Sequence, residues 1–106
     1  MGEPTFGIEA LDGPRSYRLI GSLDVPSAGS LHELLDELCR TPGDITLDLS
    51  GVTFMDSGGL RALIQTCMGL GEAGVVRIVN PSGQVRRLLE LTGVEREIGN
   101  FRVVDE

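Results

Sequence analysis

The chain has 106 residues, a formal net charge of -7 and nine basic residues, all of them Arg. That length suits one domain, read as residues 1–106, and a 41% hydrophobic content with no Trp, one Tyr and three Phe gives it an aliphatic core. The acidity argues against binding to nucleic-acid phosphates or anionic lipid, the scarcity of aromatics removes stacking platforms, and a partner with a basic patch fits better.

In chain order, Met1-Gly2-Glu3-Pro4 lacks the basic region and apolar run of a secretory leader. No stretch approaches the roughly 18 apolar residues of a membrane span. A soluble, cytoplasmic protein without membrane insertion is expected. Strand-like runs cover Thr5 to Leu11 and Ser16 to Ser22, and Asp12-Gly13-Pro14 between them predicts a hairpin. A helix follows with Leu31, Leu34, Leu35 and Leu38 on one face. Ser30 and Glu33 read as its capping box, with Pro26 and Ser27 as an alternative start one turn earlier. Thr41-Pro42-Gly43 ends it, and Ile45 to Ser50 is an alternating strand.

Beyond that strand the chain is expected to cross a loop and enter a second helix, with Leu60, Leu63, Ile64 and Cys67 at helical spacing. The glycines at 69, 71 and 74 close it. Val75 to Val79 is a mostly apolar strand, as in a sheet covered on both faces. A third helix carries Val85, Leu88, Leu89 and Thr92 along one face and stops at Gly93. Phe101 to Val104 is a last short strand. The order β-β-α-β-α-β-α-β predicts an α/β fold, a mixed central sheet with helices packed on its faces. Leu47, Leu49, Leu63, Ile64, Val76, Ile78 and Leu88 are the expected core.

Several motifs dissolve on inspection. Gly69-Leu70-Gly71-Glu72-Ala73-Gly74 matches GxGxxG, but it follows a helix and precedes a strand, the reverse of a dinucleotide fingerprint. A Walker loop needs a lysine, and the chain has none. A hydrolase elbow needs Gly two residues before the serine, and position 55 is Met. His32, the single histidine, sits on the first helix as an ordinary surface residue. Cys39 and Cys67 fall on apolar helix faces and read as buried free thiols. No enzyme, catalytic residue, cofactor or metal is expected.

Ser57 is the residue that carries information. It enters the first turn of the second helix, where unpaired N–H groups and the helix dipole favour both a capping oxygen and a phosphate. Ser57 or Asp56 can be the cap. Gly58 and Gly59 are each disfavoured in a helix by about 1 kcal/mol relative to Ala. Two of them at a helix start imply a close backbone approach or a loop that must adjust.

Phe54-Met55-Asp56-Ser57-Gly58-Gly59-Leu60, after an alternating strand, resembles the phosphorylation-site motif of bacterial anti-sigma factor antagonists, which are stand-alone STAS domains. Gly21-Ser22-Leu23-Asp24 is similar to the family's segment before the first helix. Asn80 to Leu89 and Leu91-Thr92-Gly93-Val94 resemble its third-helix region. The resemblance implies a binding module that, when unphosphorylated, binds an anti-sigma factor with serine kinase activity and so frees a sigma factor. Phosphorylation of Ser57 would dissolve the complex, and a phosphatase would reset it. The implied partner surface comprises Asp24, Asp56, Ser57, Gly58 and Gly59, with Arg61 as an orienting contact or a solvated side chain. The alternative is a non-switching STAS scaffold, or a regulatory component of a lipid-transport or stress-sensing complex. Family members often have a second hydroxyl residue where this chain has Gly58. They also usually have a further helix after the last strand, where this sequence reads Val104-Asp105-Glu106. Without it, part of one sheet face would be exposed to pairing, so a monomer or weak dimer is expected.

Overall fold

The computed structural model describes residues 6–104, apart from the side chains of residues 25–28. The expected hairpin is β1 (Phe6–Ala10) and β2 (Ser16–Leu23), paired antiparallel and closed by Leu11 N–H donating to Ser16 O at 2.9 Å. Thr5, the expected start of the first strand, and the stretch after Val104, where the resemblance implies a helix, lie outside the described residues.

Helix α1 (Val25–Cys39) begins directly after Asp24. This is the earlier of the two expected starts, and it leaves Ser30 and Glu33 inside the helix rather than at its cap. Pro26 in the first turn costs no hydrogen bond, because N–H groups there have no helical acceptor. The remaining elements are β3 (Ile45–Met55), α2 (Ser57–Leu70), a 3₁₀ turn (Gly71–Ala73), β4 (Val76–Val79), α3 (Gly83–Thr92), a four-residue α4 (Val94–Glu97) and β5 (Phe101–Val104). The sheet order is β1-β2-β3-β4-β5, with the last four strands parallel. A sheet that grows by one neighbour per crossover needs a helix for each step, as the alternating pattern implied.

Two departures from the expected elements matter. β3 does not end at Ser50 but runs on to Met55, still paired with β2 as far as Leu23 opposite Met55. Register shifts between Arg18 and Ile20 and between Gly21 and Ser22 absorb the broken alternation around Gly51. The loop expected after Ser50 is therefore one residue, Asp56. The second departure is the sheet's cover. Ile45, Val76 and Phe101 stand in register and are fully buried, whereas the adjacent row carries Thr46, Arg77 and Arg102, with both arginines exposed. Neighbouring residues on a strand point to opposite faces, so here one face meets the core and the other meets water. The polar face carries an ion ladder. Arg18 lies 3.3 Å from Glu9 and 3.5 Å from Asp48, and Arg77 lies 3.0 Å from Asp44. Burial by itself would raise the Asp48 carboxyl. Hydrogen bonds from Ser50, including its N–H at 2.8 Å, together with Arg18 outweigh that and hold it below its ordinary value.

The core is aliphatic as expected. Leu47, Leu49, Leu63, Val76 and Ile78 are fully buried, while Ile64 and Leu88 are half-buried against them. Thr92 leaves the apolar face of α3. It is exposed, and its hydroxyl donates to the carbonyls of Leu88 and Leu89. Gly93 ends α3 in the left-handed region at φ 67°, as a glycine stop should. The GxGxxG stretch is a helix stop. Asn100 Nδ2 reaches the carbonyls of Cys67, Gly71 and Gly74 at 2.8, 3.1 and 3.0 Å and seals the turn. Both cysteines are free thiols. Cys67 is buried, and that burial, with Cys39 nearby, pushes its thiol up to about 12. Among the described residues, no helix is long and apolar enough to cross a membrane.

Candidate functional site

The site is built where β2 and β3 end level. Because Leu23 and Met55 are register partners on parallel strands, the residues that follow, Asp24 and Asp56, emerge side by side. Asp56 N–H donates to Leu23 O at 3.1 Å and extends the ladder by one residue. The carboxyl ends of parallel strands are where open α/β sheets place their ligands. Both aspartates are half-buried.

Asp56 is the cap of α2. It is extended, at φ -115° and ψ -169°, and its Oδ1 accepts from Gly58 N–H at 2.8 Å and Gly59 N–H at 3.3 Å. Its carbonyl accepts from Leu60 N–H at 3.0 Å, the first bond of the helix. Ser57 is the first helical residue and is exposed. The capping role left open between the two residues therefore belongs to Asp56, and the Ser57 hydroxyl has no part in holding the helix start. Asp56→Ala should lower stability by roughly 0.5–2 kcal/mol, the usual cost of losing a cap. Ser57→Ala should change it by less than about 0.5 kcal/mol, as expected at an exposed position. Urea denaturation of the two variants checks this, and the reverse ranking would return the cap to Ser57.

Gly59 explains one of the paired glycines. It is buried, and a Cβ there would lie 2.3 Å from Leu23 O and 2.8 Å from Leu23 Cβ. The helix start presses onto the end of β2, so Gly59 acts through packing beneath the surface that carries Asp24, Asp56, Ser57 and Gly58.

Gln84, in the first turn of α3, was not legible as part of the site. Its Oε1 accepts from Met55 N–H at 2.9 Å and its Nε2 donates to Met55 O at 3.1 Å. β4 pairs with β3 only from Ile45 to Asp48, so beyond that point β3 has no strand on that side. The Gln84 amide supplies the missing donor and acceptor just before Asp56. A polar residue early in a helix is too ordinary a signal to reveal such a contact across 29 residues.

A groove of about 600 Å³ runs between α1 and α2, lined by Gly29, His32, Glu33, Ser57, Gly58, Arg61, Ala62 and Gln65. The fold thus brings His32, expected as isolated helix surface, into the same groove as Ser57. Among the described residues, His32 makes no hydrogen bond to Ser57, and no group of three His, Cys, Asp or Glu side chains is placed to hold a metal. A second hollow, of about 430 Å³ beside α3, α4 and β5, shares no lining residue with this groove.

Comparison with known proteins bears directly on this geometry. The STAS domain family matches residues 6–106. The anti-sigma-B factor antagonist of Bacillus subtilis (strain 168) is 33% identical over 78 residues, covering 73% of this chain and 72% of the relative. The crystal structure of an anti-sigma factor antagonist from Mycobacterium paratuberculosis superposes with a TM-score of 0.76 at 27% identity, over 92% of this chain and 84% of that one. The Bacillus protein SpoIIAA, solved in unphosphorylated and phosphorylated forms, shares the fold with TM-scores of 0.73 and 0.68 at 20% and 19% identity. These two structures cover 95% of this chain and 87% and 90% of their own. With a five-stranded mixed sheet, its parallel strands joined by helices, and a serine opening the helix after the third strand, the chain belongs to the STAS domain family.

Proposed function

We propose that this protein is an anti-sigma factor antagonist switched at Ser57. In its unphosphorylated form it binds an anti-sigma factor that is also a serine kinase, and a sigma factor is released. Phosphorylation of Ser57 ends the complex, and a phosphatase restores the binding form. One observation carries the reading: Ser57 is exposed at the start of α2 while Asp56 performs the capping. A hydroxyl freed from structural duty, in reach of a kinase, stands on the level end of two strands beside two carboxylates. The names of the similar proteins support the same job, and the charge of -7 suits a partner with a basic docking patch. Asp24, Asp56, Ser57, Gly58 and Arg61 form the contact surface in this reading, supported from below by Gly59. The protein acts by binding and as a kinase substrate rather than by turnover.

The test has two steps. Pull-down from the source cell with bait in both phosphorylation states identifies the kinase. Incubation of the wild type with that kinase and ATP, followed by mass spectrometry, then maps the phosphate. Stoichiometric phosphate on Ser57 is the expected result. Phosphate on another residue, or none, would favour a non-switching scaffold.

A further inference from the structure

The reading of Ser57 as a phosphorylation site raises a question of charge, and the inference below rests on that reading. A phosphoryl group brings about -1.5 to -2 charges at neutral pH. From the sequence, the start of α2 would receive it with free N–H groups. In the structure three of those donors are already engaged. Gly58 and Gly59 N–H are held by the Asp56 carboxylate, and Leu60 N–H bonds Asp56 O. Asp56 also adds a negative charge next to the phosphate. The helix dipole offsets part of the added charge, and a nearby side-chain cation can offset more.

Arg61 is placed to provide it. It stands four residues after Ser57 on α2, so the two share a helix face with neighbouring Cβ atoms. Helical side chains lean toward the N-terminus, so the guanidinium has position 57 within its reach. Arg61 is exposed and makes no ion pair or hydrogen bond among the described residues, where the ion pairs use Arg18 and Arg77. Both Ser57 and Arg61 line the α1–α2 groove. His32 and Gln65 line it too and can donate hydrogen bonds, whereas Glu33 is the opposing charge there.

We propose that Arg61 clamps the phosphoryl group of phosphorylated Ser57 within this groove, so that the modification is neutralised on the domain's own surface. Guanidinium binds phosphate oxygens through charge-assisted, often paired hydrogen bonds. Phosphorylation would then remove two features from a docking partner at once, the free hydroxyl and the free cation.

The test installs phosphoserine at position 57 by genetic-code expansion and titrates it by ³¹P NMR. No kinase is involved, so the outcome is separate from whether Ser57 is modified in the cell. A nearby cation favours the dianion and lowers the second phosphate pKa. That pKa is expected to lie at least about half a unit lower in the otherwise wild-type protein than in Arg61→Gln. Arg87→Gln, an exposed position on α3, is expected to leave it unchanged. Identical pKa values with and without Arg61, or an equal shift from Arg87→Gln, would overturn the clamp. Amide spectra of the variants establish that each is folded, as expected for exposed substitutions.

Discussion

Ser57→Asp should weaken binding to the cognate anti-sigma factor more than a hundredfold, while Ser57→Ala should bind like the wild type and accept no phosphate. The expectation follows from where position 57 lies. A carboxylate at the first position of a helix is well tolerated by the helix dipole, and Ser57 does not cap α2. The substitution therefore leaves the fold intact and changes only the surface. In the proposed interface it would place a second carboxylate directly beside Asp56, and burying that pair against a partner would cost desolvation and mutual repulsion. A loss of about 3 kcal/mol already exceeds a hundredfold in Kd. Calorimetric titration of the three proteins measures it, with denaturation midpoints as the control. Equal affinity for Ser57→Asp and wild type would remove charge from the release mechanism.

Gly59→Ala should be among the most damaging single-methyl additions in the chain. The new Cβ would stand 2.3 Å from Leu23 O and 2.9 Å from its carbonyl carbon. Backbone atoms cannot rotate away as a side-chain tip can. The same carbonyl accepts the Asp56 N–H at 3.1 Å, so relief of the clash disturbs the bond that keeps β2 and β3 level. Alanine gains about 1 kcal/mol over glycine in helix propensity. Overpacking of this kind typically costs about 1–3 kcal/mol and occasionally more, and a backbone collision belongs at the upper end. A net loss of about 2 kcal/mol is expected. Gly83→Ala supplies the contrast. It opens α3 with nothing within 4 Å of the added methyl and should stabilise by roughly 0.4–1 kcal/mol. Urea midpoints that move the same way in both variants would contradict the proposed packing of α2 on β2.

What the sequence disclosed and what it withheld divide along a physical line. Apolar periodicity located every helix of more than one turn, and the buried leucines at 31, 35, 47, 49, 60, 63 and 89 lie where that periodicity put them. The four residues of α4 are too few to show a period, and their first hydrogen bonds run back to the carbonyl of Gly93, where the chain turns out of α3. The alternating pattern that marks β3 in the sequence stops at Ser50, yet the strand runs on to Met55. Pairing with β2, through two register shifts, overrode that local pattern. The extra strand length then decided the cap, since a strand reaching Met55 leaves only Asp56 to play it. The contacts of Gln84 and Asn100, and the meeting of His32 with Ser57 in one groove, arise from chain segments 25 or more residues apart. No local pattern encodes them.

The unequal lengths of β3 and β4 give the serine an unusual mounting. β3 extends past the last residue of its neighbour like a beam past its support, with β2 along one side and, at the tip, a single glutamine amide on the other. Ser57 stands just beyond that tip. The position of Ser57 is therefore referenced to two bodies, the sheet through Leu23 and the third helix through Gln84. The Gln84 amide thereby ties the first turn of α3 to the last residue of β3. In mechanical terms the serine stands at the end of a cantilever braced on both flanks, by Leu23 on one and Gln84 on the other.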